Sequence, residues 1–354
     1  MLFLSRTESI EWAGLAGEIL ESGALPWDAP APVRKNLLPA FHFYIGTLLS
    51  SRGMGDAGIE WLRSGAMIEE DGLFSSAFLL GFLERHEGRL IKPDVAFRDP
   101  RPFIHFSGVP MMALARERFV VQAGHSLPVF DEPLRMMDIG CGNGALTVAL
   151  LKGLVDAGKT DSPGEVLLVD PSPAMLGLAE QEVRGAFPDL TVKSVNLPVQ
   201  NFSGHIRDHY DLAVSSLAFH HMPYEEKKVH LSRLSPYLDH FLLFELDANN
   251  DTPEWESPEL ALSLYQSYGR IIDFVFSHDA PIEVATSCVD LFLITELISF
   301  LIEPRGIRTD YHMLRTQWND LFADALGDGF SLACDSPCYA DEYLTLFTMH
   351  YGRN

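Results

Sequence analysis

Between residues 134 and 246 short apolar runs alternate with helix-length segments, and the first run ends in a turn of three glycines. The runs fall at 134–139, 166–169, 190–195, 210–217 and 241–246; helical patterns occupy 143–156, 172–186 and 225–238. Strands spaced by helices read as parallel, because each parallel strand needs a crossover to return to the sheet. The expected fold class is therefore α/β, a doubly wound, mostly parallel sheet with helices on both faces. Two later runs, 330–334 and 343–351, joined by Asp335-Ser336-Pro337, are expected to close the sheet as a hairpin and bring it to seven strands.

The flanking regions read differently. From 9 to 87 apolar residues such as Leu37, Phe41, Tyr44 and Leu48 recur at helical spacing. Within that stretch Ile45-Gly46-x-Leu48 with Gly53 recurs as Leu80-Gly81-x-Leu83 with Gly88, a shift of 35 residues. The period resembles that of tetratricopeptide helix pairs, and two partial copies leave an ordinary helical bundle as the rival reading. Four prolines between 91 and 110 mark a linker, followed by a helix over 108–127. Residues 249–305 turn helical again and read as an inserted cap. A helix over 311–326 is expected to take Asp310 as its N-cap. The expected domains are a helical domain at 1–105, the first part of an α/β domain at 106–248, the cap at 249–310 and the rest of the α/β domain at 311–354.

Charge narrows the partners. Lys and Arg number 26 against 49 Asp and Glu, and a net charge of −23 repels phosphate backbones and anionic lipid. Neither nucleic acid nor membrane is expected as a partner. Residues 291–302 are apolar but fall short of the ~20 a span needs. Cys141, Cys288, Cys334 and Cys338 form no CxxC pair, so no disulfide framework and no metal site are expected, and a reducing cytoplasm fits.

The chemistry centres on Asp138-Ile139-Gly140-Cys141-Gly142-Asn143-Gly144. Missing Cβ atoms let the backbone turn sharply and a ligand come close, while the helix that follows offers unpaired N–H groups. Asp170 ends the next strand, where a carboxylate can accept two hydrogen bonds from a ribose diol. Adenosine binding is the expectation. The spacing of Gly140, Gly142 and Ala145 would also satisfy a relaxed dinucleotide fingerprint, so NAD chemistry stays open on these residues alone.

Three details weigh against NAD: an acid two residues before the first glycine, a glycine at 144, and the segment Tyr210-Asp211-Leu212-Ala213-Val214-Ser215-Ser216-Leu217-Ala218-Phe219-His220-His221. The set resembles the class I S-adenosylmethionine-dependent methyltransferases of the small-molecule branch, over roughly 130–246 and the C-terminal strands. The resemblance implies that family's Rossmann-like fold and its cofactor. It implies that Asp138 and the backbone at Gly140 and Gly142 hold the methionyl part, with Cys141 and Asn143 of the same loop also at the cofactor, and that Asp170 binds the ribose. Ser172 and Met175 would pack the adenine edge, and Ser216 and Leu217 would lie beneath the sulfonium. Where the family commonly places an acid for the adenine amino group, Asn196-Leu197 stands here; an Asn oxygen accepts the same hydrogen bond.

His221 and His220 are the candidates for a general base, since imidazole titrates near neutrality. Arg116 and Arg118 are candidates for a carboxylate, and Tyr224, Trp255, Tyr265 and Tyr268 for pocket walls. The expected reaction is in-line methyl transfer to a small-molecule acceptor, with the cap excluding water. Two other readings remain: transfer or cyclisation of the aminopropyl carboxylate arm, releasing methylthioadenosine, and a noncatalytic protein-interaction module. A homodimer through the N-terminal helices is a further expectation.

Overall fold

The computed structural model describes residues 1–27, 33–93 and 100–354. The chain divides into two compact units. One comprises Phe97–Asp247, Tyr311–Ala340 and Thr345–Asn354; the other comprises Met1–Ala96, Ala248–Asp310 and Asp341–Leu344. The first four helices are α1 (Arg6–Ser22), α2 (Leu38–Ser51), α3 (Gly55–Ala66) and α4 (Ser76–Arg85). Next come α5 (Arg101–Gly108), α6 (Pro110–Ser126), α7 (Ala145–Asp156), α8 (Pro173–Ala186), α9 (Val199–Phe202) and α10 (Tyr224–Leu234). The last are α11 (Pro258–Ser277), α12 (Ile282–Cys288), α13 (Ile294–Ile302) and α14 (Arg315–Leu326).

The α/β unit is built on strands β1 (Leu134–Ile139), β2 (Pro163–Val169), β3 (Thr191–Val195), β4 (Tyr210–Ser216), β5 (Leu238–Leu246), β6 (Phe330–Ala340) and β7 (Thr345–Arg353). Their order is β3-β2-β1-β4-β5-β7-β6. β1 to β5 are parallel, and β7 runs antiparallel to both β5 and β6. The doubly wound, mostly parallel seven-stranded sheet is thus present. Successive residues of β5 are buried on opposite faces. Phe241 packs against Phe322 of α14, and Phe244 meets Phe119 of α6 at a ring separation of 5.3 Å. Burial on both faces explains why these strands read as unbroken apolar runs.

Three boundaries differ from the sequence expectation. Part of the proline-rich stretch is helical, because Pro102 and Pro110 occupy first-turn positions of α5 and α6, where a missing N–H leaves nothing unsatisfied; residues 94–99 lie outside the described set. The hairpin turn is at 341–344, and β6 runs straight through Asp335-Ser336-Pro337. Pro337 is tolerated because β6 is the sheet edge and its register shifts between Pro337 and Tyr339. Asp310 caps no helix: α14 starts at Arg315, with Gln317 Oε1 accepting from the Leu314 N–H at 2.8 Å, and the Thr309 hydroxyl donates to Asp310 at 2.5 Å.

In the helical unit, α1 to α4 and α11 to α13 belong together. A Cβ on Gly46 of α2 would stand 2.6 Å from Leu62 of α3, so the small residue sets that close approach. Gly53 and Gly88, one repeat apart, are both left-handed and follow the ends of α2 and α4, which gives the 35-residue echo the meaning of a shared helix stop. The run Ile282–Ile302 is long and apolar enough by composition to cross a membrane, yet 72% of its apolar window is buried inside the protein, as in a core helix.

Candidate active site

The site grows from the C-terminal ends of the parallel strands. β1 leads into Gly140, Gly142 and Gly144, with φ of 74°, 53° and 79°, the left-handed region that side chains disfavour. A Cβ on Gly140 would lie 2.3 Å from that of Ala218, and one on Gly144 would lie 2.7 Å from the Ala179 Cα in α8. The loop is thereby wedged between the exit of β4 and α8. Gly142 has the Phe103 ring of α5 at the position a Cβ would reach within 3.2 Å. Asn143 Oδ1 accepts from the Ala145 N–H at 3.3 Å, satisfying one free donor at the start of α7. Burial pushes the Cys141 thiol far up, so it is inert as a nucleophile.

Two carboxylates bracket the loop. Asp138 is buried and accepts from the Thr147 hydroxyl at 2.5 Å; burial, with the charge of Asp170 added, pushes its carboxyl up to about 6. Arg116 of α6 opposes that rise. Desolvation lowers the guanidinium of Arg116 to about 10, and its buried Nε has no hydrogen-bond partner among the described residues. Arg118 instead donates to the Cys338 carbonyl at 3.3 Å. Asp170 accepts from the Gly142 N–H at 2.9 Å through one oxygen and from the Ser172 N–H at 2.8 Å through the other. Burial raises its pKa, while those two N–H groups and the nearby His221 hold it down. One lone pair on each oxygen remains for a further donor.

Around Asp170 the other expected residues fall at different depths. Ser172 is the N-cap of α8, accepting from the Met175 N–H at 3.3 Å, and Met175 itself is buried. Asn196 donates its amide to the carbonyls of Asp170 and Pro171, both at 3.0 Å, which leaves its oxygen as an acceptor. Leu197 is exposed. Ser216 ends β4, and Leu217 follows at φ 49°, its N–H bonded to the Phe244 carbonyl at 2.8 Å. That left-handed residue swings the chain into the turn Phe219–His221.

The two histidines diverge there. His221 is exposed, whereas His220 is buried, with Nδ1 3.0 and 3.2 Å from the two oxygens of Glu245. The His312 and His221 rings both lie against that of His220, tilted to it, at ring separations of 4.0 and 4.2 Å. Burial raises the Glu245 carboxyl; His312, Lys227 and His221 counter it. The sequence reading did not single out Glu245 or Lys227. Its one available signal was a carboxylate inside the apolar strand Phe241-Leu242-Leu243-Phe244-Glu245-Leu246. Of the four expected wall residues, Tyr224 is hydrogen-bonded to Asp324 at 3.4 Å in this unit. Trp255, Tyr265 and Tyr268 belong to the helical unit, where Trp255 donates to the Leu301 carbonyl and Tyr268 to Glu296.

Residues 137–240, which carry the glycine loop, Asp170 and both histidines, match the family model described as "Methyltransferase domain". Residues 137–240 thus carry a methyltransferase domain, set in a sheet whose order and glycine loop are those of the class I S-adenosylmethionine-dependent methyltransferase fold. An uncharacterised methyltransferase of Bacillus subtilis (strain 168), YrrT, is 35% identical over 103 residues, 29% of this chain and 41% of that relative. The chain therefore spans less than half the length of the curated relative it matches. Among solved structures, the magnesium protoporphyrin IX methyltransferase of Synechocystis PCC 6803 with bound SAH is 14% identical. That alignment covers 72% of this chain and 93% of that one, at a TM-score of 0.43. A mitomycin 7-O-methyltransferase is 14% identical over 87% of this chain and 74% of its own, also at 0.43.

Proposed function

We propose that the chain transfers a methyl group from S-adenosylmethionine to a small-molecule acceptor. The observation that carries this reading is the left-handed loop Gly140 to Gly144 tied directly to the buried Asp170 by the Gly142 N–H. The residues around it fit the cofactor. Asp170 keeps acceptor capacity for a ribose diol, and Asn196 keeps an oxygen for an amino group. Arg116, with an unpartnered buried N–H beside Asp138, fits a carboxylate, while Asp138 fits an ammonium. Cys141, Asn143, Ser172, Met175, Leu197, Ser216 and Leu217 complete the surround in this reading.

When bound, the cofactor supplies an electrophilic methyl on a sulfonium. The protein's task is alignment and exclusion of water, worth several kcal/mol of barrier. His221, exposed at the turn after β4, is placed to take a proton from an acceptor that must lose one. His220, held by Glu245, orients that turn. A metabolite-sized acceptor suits a chain whose charge of −23 repels nucleic acid and anionic lipid. The four free cysteines suit a reducing cytoplasm.

Calorimetry with S-adenosylhomocysteine and with NAD tests the cofactor assignment; heat from NAD and none from the thioether overturns it. Incubation with methyl-labelled cofactor and host extract tests the reaction. Label in an acceptor together with spent S-adenosylhomocysteine supports methyl transfer, and methylthioadenosine as the spent form replaces it with transfer of the aminopropyl carboxylate arm.

A further inference from the structure

We infer that His220, Glu245 and His312 form a binding site for one first-row divalent cation at the C-terminal ends of β4 and β5. The inference does not rest on methyl transfer. Each ligand comes from a separate element: His220 from the turn Phe219–His221, Glu245 from β5, and His312 from the stretch before α14. All three side chains are buried, and one donor atom from each lies within 4.8 Å of the others. The Nδ1 atoms of both imidazoles lie near the same carboxylate oxygen, Glu245 Oε2, at 3.0 Å for His220 and 3.9 Å for His312. Two donors about 2.1 Å from an ion and at right angles to it stand about 3.0 Å apart. The His220–Glu245 separation already meets that condition, and the His312 nitrogen, at 3.9 Å, would have to move about 1 Å closer to do so.

The surrounding backbone holds these ligands in place. The Tyr311 N–H donates to the His220 carbonyl at 2.6 Å, which ties the two histidine segments together, and the Ala218 N–H donates to Glu245 Oε1 at 3.2 Å. Oε2 is the oxygen nearer His220 and the one within 4 Å of His312. Two neutral imidazoles and one carboxylate on one side of an ion are a facial set that suits Zn²⁺, Ni²⁺, Co²⁺ or Fe²⁺ and leaves positions open. Lys227 selects further. Its buried ammonium donates to the Tyr311 carbonyl at 2.6 Å and already supplies one positive charge near Glu245. Binding must then draw on imidazole nitrogen rather than on net negative charge, which disfavours Mg²⁺ and Ca²⁺.

The full-length chain, stripped with EDTA and dialysed, is titrated by calorimetry with ZnCl₂, NiCl₂ and MgCl₂. The expected result is one saturable Zn²⁺ or Ni²⁺ site per chain and no heat from Mg²⁺. Glu245→Gln and His312→Ala are each expected to weaken binding at least about tenfold. His350→Gln, in the separate imidazole pair where His240 and His350 stand 3.0 Å apart, leaves it unchanged. Loading the wild-type chain with Co²⁺ gives a readout free of any folding defect in the variants, since hyperfine-shifted ring N–H proton signals from two histidines are expected. No saturable binding by the wild type, binding that survives His312→Ala, loss on His350→Gln, or no shifted ring signals would each overturn the inference.

Discussion

Asp170 meets three demands with one side chain: it fixes the glycine loop through Gly142, starts α8 through Ser172, and keeps one lone pair on each oxygen. Removing it therefore costs the preorganisation of the loop and, in the proposed reading, the hydrogen bonds to a ribose. Hydrogen bonds to a charged group are worth about 1.5–3 kcal/mol each. Asp170→Ala is thus expected to weaken S-adenosylhomocysteine binding at least about tenfold by calorimetry. Asp170→Asn, which keeps one oxygen and replaces the other with an amide donor, should fall between. Equal affinity in all three proteins would remove Asp170 from the site. His221→Ala makes the complementary case: His221 is exposed and acts on Asp170 through its charge, so under the proposed base role cofactor affinity should stay within about threefold while turnover falls, by the ~10²-fold or more typical of a lost general base. A kcat that does not change in His221→Ala assigns the proton elsewhere.

At the scale of elements the loop is a spacer held between two neighbours. Gly144 is at φ 79°, and a Cβ there meets the Ala179 Cα at 2.7 Å, so Gly144→Ala must push α7 off α8. The expected loss is on the order of 1–3 kcal/mol, combining left-handed strain with overpacking. Urea unfolding measures it; Gly177→Ala in α8, which has open space at its Cβ, is the neutral control. The strands were legible because burial on both faces writes unbroken apolar runs, and the glycine turn because left-handed backbone leaves few residue choices. The ends of elements were not. Prolines 102 and 110 read as breakers, although at the start of a helix they are tolerated. Asp335-Ser336-Pro337 read as a turn, although an edge strand with a bulge accommodates it. Glu245 and His312 are 67 residues apart, and only the sheet and the stretch before α14 bring them together; no local spacing carries that information.

For the whole molecule, buried titratable groups set the response to acid, and their signs oppose one another. Burial lowers His42, in the helical unit, to about 4 and His350, in the α/β unit, to about 3. For such a group the unfolded chain takes up the proton first, so its contribution is complete above about 6.5 and is lost as pH falls toward the folded value. At pH 5 each histidine has withdrawn about 2 kcal/mol. Asp138, raised to about 6, works the other way: the folded state binds its proton first, and the cost of holding a buried charge is relieved as pH drops from 6 toward 3.8, about 1 kcal/mol of it by pH 5. Protonation of surface carboxylates also eases the self-repulsion of a chain at −23, but that term is common to the wild type and its variants. The difference between proteins therefore isolates the buried groups. Unfolding free energies from urea titrations are expected to fall less between pH 7 and pH 5 in His42→Phe and in His350→Gln than in the wild type, by about 2 kcal/mol each, and to fall more in Asp138→Asn, by about 1 kcal/mol. The Asp138→Asn arm decides whether the acid beside the glycine loop is held as a strained charge, because an ordinary carboxylate there would leave the slope between pH 7 and pH 5 unchanged.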